Sequence, residues 1–212
     1  MTQSQPLRTE TLLKQLTGSE DVRALFAPGR AVIGISEHAA RLPQGQLILS
    51  FAVNLAARLF PVIQNLEVVV PPHIKTLARL PRWQSPMLDQ HIDKLLSELN
   101  PPVRWAVAAS HSHLQDNIVW IGQAPEGVKP TVFIGSDGWY AFVSPDEPMS
   151  VNATNPIGAY TAGCFAAAEL WKGLLLPHRH LFENVPLAPC KSTMAFSARS
   201  RSQPRSQARI AV

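Results

Sequence analysis

The chain has 212 residues, 46% of them hydrophobic and 16% charged, which suits one α/β domain with small appendages and excludes a wholly disordered or coiled-coil protein. Nineteen prolines against eleven glycines predict a chain broken by many X-Pro turns. The net charge of +4 is uneven, because residues 191–212 carry five basic residues and no acid, leaving 14 basic against 15 acidic residues in 1–190.

Two short helical pieces are expected in the N-terminal extension, residues 1–27. Thr9 or Thr11 caps the first, which runs through Leu12, Leu13 and Leu16 to Gly18. Ser19 is the expected cap of the second, EDVRALF, whose Glu20 and Asp21 suit the positive end of the helix dipole. RAVIGI (30–35) reads as a short apolar strand, QLILSFAVNLAARLF (46–60) as a helix packed on most sides and stopped by Pro61, and LEVVVPP (66–72) as a buried strand. Strand, helix and strand in that order make a βαβ unit.

Residues 73–86, with Pro81, Trp83 and Pro86, predict a loop or irregular helix. MLDQHIDKLLSELN (87–100) is amphipathic, with Leu88, Ile92, Leu95, Leu96 and Leu99 on one side, and ends at Asn100-Pro101-Pro102. VRWAVAAS (103–110), NIVWIG (117–122), TVFIGSD (131–137) and GWYAFVS (138–144) read as strands, the last two joined by a tight turn at Asp137-Gly138. Residues 153–177 form the strongest predicted element, a helix with Asn155 at its N-cap, Pro156 at its first position and Pro177 as its stop. Its Gly158, Ala159, Ala162, Gly163, Ala166 and Ala167 permit close approach of another backbone. The expected architecture is therefore a Rossmann-like α/β domain over 28–186, with a mainly parallel sheet flanked by helices and a short antiparallel hairpin. A basic tail without regular structure follows over 187–212.

The chemistry-bearing residues are sparse. A nucleotide-binding domain of this class places a glycine-rich turn between its first strand and helix, where backbone approaches phosphate. Here Gly34 and Gly45 stand eleven positions apart with no GxGxxG, and Pro71-Pro72 follows the second strand where a ribose-binding acid is expected. His111, His113 and Asp116 follow a predicted strand and are candidate metal ligands, set against a solvated polar loop. His178 and His180 are a weaker pair. Cys164 and Cys190 have no CxxC partner, and Cys164 is expected as a small buried thiol. The scattered tryptophans fit packing better than a base-stacking platform. The arginines of the tail suggest contact with nucleic-acid phosphates as one alternative. The abrupt change of composition after Cys190 also has the character of a reading-frame change. With no apolar leader and no apolar span free of breaks, a soluble protein of a reducing, cytoplasmic compartment is expected.

The segment NPIGAYTAGCFAAAELWKGLL resembles the late helix of the ThiF-like, ubiquitin-activating-enzyme-like adenylation fold, in which N-P-x-G-A precedes an alanine-rich helix ending A-A-E-x-x-K. The corresponding residues are Asn155, Pro156, Gly158, Ala159, Ala167, Ala168, Glu169 and Lys172. GWYAFVS and LFENV (181–185) are similar to bacterial members, which occur beside ubiquitin-like and conjugating-enzyme-like partners. Active domains of that family bind Mg-ATP and adenylate the C-terminal glycine of a ubiquitin-like or sulfur-carrier protein. The glycine loop, phosphate-binding arginine, lysine, metal-holding aspartate and paired zinc cysteines of the family have no match at a defensible position. The resemblance thus implies an inactive half with no catalytic residue and no bound cofactor. Its implied partners are an active adenylation domain or a second copy, together with a ubiquitin-like protein. The alternative is an ATP-dependent adenylyltransferase with a diverged phosphate loop, using ATP and magnesium.

Overall fold

A computed structural model describes residues 8–77, 85–110, 117–152, 155–182 and 208–211. After α1 (Arg8–Thr17) and α2 (Val22–Leu25), the chain forms β1 (Arg30–Ile35), α3 (Glu37–Ala40), α4 (Pro43–Ala56), β2 (Asn65–Val69), α5 (Leu88–Leu99) and β3 (Arg104–Ala108). Then come β4 (Asn117–Ile121), β5 (Val132–Asp137), β6 (Tyr140–Ser144), β7 (Val151–Asn152) and α6 (Pro156–Leu175). A 3-10 helix (Leu176–Phe182) follows, and β8 (Ala208–Ala211) is the last strand. The strands make one sheet in the order β3-β2-β1-β4-β5-β6-β8, with β7 beside β5. β1 to β5 are mutually parallel, whereas β6 runs antiparallel to β5 and β8 antiparallel to β6. This is the α/β architecture expected.

Alternation along the strands sorts residues to two faces. Ala31, Ile33 and Ile35 of β1, Leu66 and Val68 of β2, Val119 and Ile121 of β4, and Val132 and Ile134 of β5 point into the main core. There they meet Ile48, Leu49, Ala52 and Val53 of α4, Ile92, Leu95 and Leu96 of α5, and Ala159, Ala162, Ala166 and Leu170 of α6. The opposite face carries Val32, Val69, Ile118, Trp120 and Phe133, joined by Met149. A parallel sheet normally has helices on both faces. Here β4 and β5 are joined by residues 122–131 without a helix, and Ala124 and Val128 of that loop pack on the second cluster instead.

Several local expectations are corrected. The side chain of Asp21, not Ser19, caps α2 by accepting from the Ala24 amide at 3.1 Å. α4 begins at Pro43, three residues before the expected start, because Pro at the first position needs no hydrogen-bonded N–H. Asp137 pairs with Tyr140, so the hairpin loop is Gly138-Trp139. Gly138 has φ +60 while Trp139 does not take positive φ, the pattern of a II′ turn. α6 ends at Leu175, within one residue of the expected end near Leu176, and the 3-10 helix carries the chain through Pro177. Four residues of the tail pair with β6, whose outer edge otherwise offers unpaired backbone groups. Cys164 is exposed, not buried, because it lies on the side of α6 away from the sheet.

The small residues of α6 are absorbed inside the domain. Gly158, Ala159, Ala162, Gly163, Ala166 and Ala167 are all buried. A Cβ at Gly163 would stand 2.7 Å from Phe51 Cβ and 3.1 Å from the Ile48 oxygen, so glycine is what lets α4 and α6 touch. Fully buried Gln46 ties α4 to the loop after β2. Its Nε2 donates to the carbonyls of Ala40 and Lys75, both at 2.8 Å, and its Oε1 accepts from the Leu77 amide at 2.6 Å.

Candidate functional site

The order β3-β2-β1-β4-β5 reverses direction between β1 and β4. In open α/β sheets such a reversal leaves a crevice beyond the carboxyl ends of the strands, where ligands bind. A cavity of about 590 Å³ lies there, and its walls include Ile35, Ser36, Glu37, His38, Val69, Pro71, Pro72, Ala109, Ser110, Trp120, Gln123, Glu126 and Val128. This volume falls within the range of small-molecule sites.

The turn after β1 is built for closure. The Ser36 amide donates to the Ile121 oxygen at 2.9 Å, tying β1 to β4, and Ser36 Oγ accepts from the Ala39 amide at 3.2 Å, capping α3. That cap consumes a donor which a phosphate loop would aim at its ligand. α3 is four residues long, and α4 opens on Leu42 without a side-chain cap and on Pro43, which has no N–H. The two glycines of this stretch serve packing. A Cβ on Gly45 would overlap the Ala39 carbonyl oxygen, so Gly45 lets α4 lie against α3. A Cβ on Gly34 would overlap the six-membered ring of Trp120, ending 2.6 Å from Cη2. The indole therefore covers Gly34 within β1, while Ile35 and the turn Ser36-Glu37-His38 line the cavity beside it. Trp120 is only 2% exposed, and its Nε1 donates to the Gln123 oxygen at 3.1 Å, which fixes the ring.

The electrostatics point the same way. Glu37 and Glu126 are among the cavity's lining residues, and its described lining includes His38 but no Lys or Arg. Glu37 forms an exposed ion pair with Arg41 at 2.6 Å, which directs that arginine onto its own helical turn. The strand β2 passes from Val69 and Val70 into Pro71-Pro72, and its one acid, Glu67, sits mid-strand. Among the described residues, the lining does not fit a Mg-nucleotide: it supplies neither a phosphate cradle nor a Lys or Arg to neutralise one.

Of the sequence-predicted residues, His111, His113 and Asp116 lie outside the described residues. Among the described residues, no group of three His, Cys, Asp or Glu side chains is placed to hold a metal. His178 stacks edge-on against Phe26 with ring centroids 5.1 Å apart, and His180 is exposed. The α6 motif residues have structural work: Asn155 Oδ1 accepts from the Ile157 amide at 2.9 Å, and Pro156 fills the first position. Gly158 and Ala159 are buried, with a Cβ on Gly158 blocked by the Gly138 oxygen 2.5 Å away, and Glu169 pairs with Lys172. Sequence reading missed Trp120 as the residue that defines the site. Its signal was a bulky side chain on β4 opposite a glycine on β1.

The sequence model of the BilD N-terminal domain matches residues 30–180. The chain belongs to the BilD N-terminal domain family. The matched stretch begins with β1 and ends within the 3-10 helix, so it includes both the switch-point cavity and α6. An uncharacterized protein, y4jF, of Sinorhizobium fredii (strain NBRC 101917 / NGR234) is 29% identical over 153 residues, covering 72% of this chain and 27% of the relative. This member of the BilD N-terminal family therefore spans about a quarter of the length of that curated relative. Among the described residues, no helix is long and apolar enough to cross a membrane.

Proposed function

We propose that the chain is a catalytically degenerate, ThiF-like adenylation-fold domain. In the cytoplasm it serves as a structural partner in the activation of a ubiquitin-like or sulfur-carrier protein. The observation that supports this reading is the indole of Trp120 seated on Gly34, beside the crevice where the strand order of a nucleotide-binding sheet puts the ligand. The capped α3 turn and the carboxylates around the cavity add to it. The domain keeps the sheet and loses the chemistry, which suits a part that shapes an active neighbour. The relative's greater length leaves room in that protein for more than this one unit.

The second reading is an ATP-dependent adenylyltransferase with a diverged phosphate loop, and the cavity at the switch point favours it. ATP–pyrophosphate exchange separates the two. The chain alone, supplied with Mg-ATP and a ubiquitin-like protein, is expected to show no exchange above background. A complete adenylation domain from the same gene neighbourhood is expected to co-purify with it and to exchange. Exchange by the purified chain alone would overturn the structural-partner reading.

A further inference from the structure

The two edges of the sheet differ. β6 receives the tail strand β8, whereas among the described residues no strand pairs with the outer side of β3. β3 keeps register with β2 through five consecutive pairs. The Arg104 amide donates to the Gln64 oxygen and the Ala108 oxygen accepts from the Val70 amide, both at 2.9 Å. Alternate residues of a parallel strand bond to the same neighbour. Arg104, Ala106 and Ala108 are thus committed to β2, and the N–H and C=O groups of Trp105 and Val107 point outward. Exposed edges are ordinarily guarded by a charged residue, a proline or a bulge. Residues 105–109 contain none of these. The flank of the edge is acidic. At 3.6 residues per turn, Asp89 and Asp93 share one flank of α5, while Lys94 and Glu98 stand on the opposite one. Asp93 Oδ1 accepts from Trp105 Nε1 at 3.4 Å, which sets the aspartate flank beside β3. Both aspartates are exposed and, with Gln90, Val107 and Ala108, line a cleft of about 310 Å³ whose described walls carry no Lys or Arg.

We infer that the β3 edge takes up an extended segment of a partner protein by strand addition, and that this segment carries Lys or Arg at alternate positions. The spacing of the acids selects that pattern. Asp89 and Asp93, four residues apart on a helix, are separated by about 6 Å along its axis. Alternate side chains of a strand stand about 6.7 Å apart on one face. Trp105 and Val107 pack on the helix side of β3, so the residues of an added strand that lie level with them face α5. Two cations at those positions meet the two carboxylates. The residue between them falls on the opposite face beside Ala106, whose small, exposed side chain leaves it room. Arg104 lies on that opposite face as well, away from the aspartates. Main-chain bonds to Trp105 and Val107 hold the segment, and the carboxylates choose it.

Titration of the full chain with the acetylated, amidated peptide Ser-Lys-Val-Lys-Val-Lys-Ser, followed by calorimetry and amide hydrogen exchange, tests this. The expected result is saturable binding with a Kd below about 1 mM. Exchange slows at the backbone amides of Trp105 and Val107 and changes little at Ala106 and Ala108, whose amides already face β2. Asp89→Asn combined with Asp93→Asn weakens binding by about fivefold or more, with an unchanged circular dichroism spectrum. Raising salt from about 0.05 M to about 0.5 M weakens it in the same direction. The peptide with Glu in place of Lys, and the same residues in the order Lys-Lys-Val-Val-Lys, bind several-fold more weakly. No saturable binding, equal affinity for either control peptide, or binding that leaves the Trp105 and Val107 amides exchanging freely overturns the proposal. Self-association of the chain that already protects those two amides makes a second copy the occupant and overturns it too.

Discussion

Replacing Gly34 by alanine is the sharpest perturbation of the candidate site. The added Cβ overlaps Cζ3 and Cε3 of Trp120 and reaches 2.6 Å from Cη2, so the ring must move by an ångström or more. It has little freedom to do so. Trp120 is 2% exposed, is hydrogen-bonded to Gln123, and packs among Val32, Val69, Ile118 and Phe133. Gly34 cannot retreat either, because β1 is paired on both sides, with Val69 and Trp120 as its register partners. Overpacking of this kind costs about 1–3 kcal/mol, which for a chain of this size lowers Tm by about 2–12 °C. Trp120→Leu alone costs about 2–4 kcal/mol through lost packing. In the double variant the Cβ finds space, so the two effects fall short of additivity by about 1–2 kcal/mol. Urea unfolding of the four proteins closes the cycle, with near-ultraviolet circular dichroism reporting the indole. Full additivity, or a Gly34→Ala cost below about 0.3 kcal/mol, would refute the placement of Trp120 over β1.

Three further outcomes follow from the same geometry. Gln46→Leu strands the carbonyls of Ala40 and Lys75 and the amide of Leu77. It is expected to cost about 2–4 kcal/mol in urea unfolding and to speed amide exchange at Leu77. Asn155→Ala removes the cap of α6 and is expected to cost about 1 kcal/mol, with Asn155→Ser recovering most of it. Lys172→Ala breaks only an exposed i,i+3 ion pair with Glu169, so its unfolding midpoint is expected to move by less than the equivalent of about 0.5 kcal/mol.

Much of the fold was legible because its strongest elements obey short-range rules. β1 stands at the expected residues 30–35, since an apolar run after Gly29 has one reading. α6 starts where Asn155-Pro156 places it, because cap and first-turn proline are local chemistry. Legibility fails where distant residues decide. Locally, two neighbouring capping residues competed and Asp21 rather than Ser19 caps α2; the exposure of Cys164 was hidden because α6 is apolar nearly all round and its sequence does not tell which side faces the sheet. Gln46 looks like an interruption in an apolar helix until Lys75 and Leu77 come back to it. The packing of Trp120 on Gly34 was not readable, since the contact joins strands 86 residues apart in sequence.

The proposed loss of nucleotide binding rests on the indole packed over Gly34 beside the switch-point cavity. Isothermal titration of the full chain with Mg-ATP tests it most directly. The account predicts no saturable heat up to millimolar nucleotide, with Gly34 still covered by Trp120. Clear one-to-one binding at micromolar concentration would contradict it.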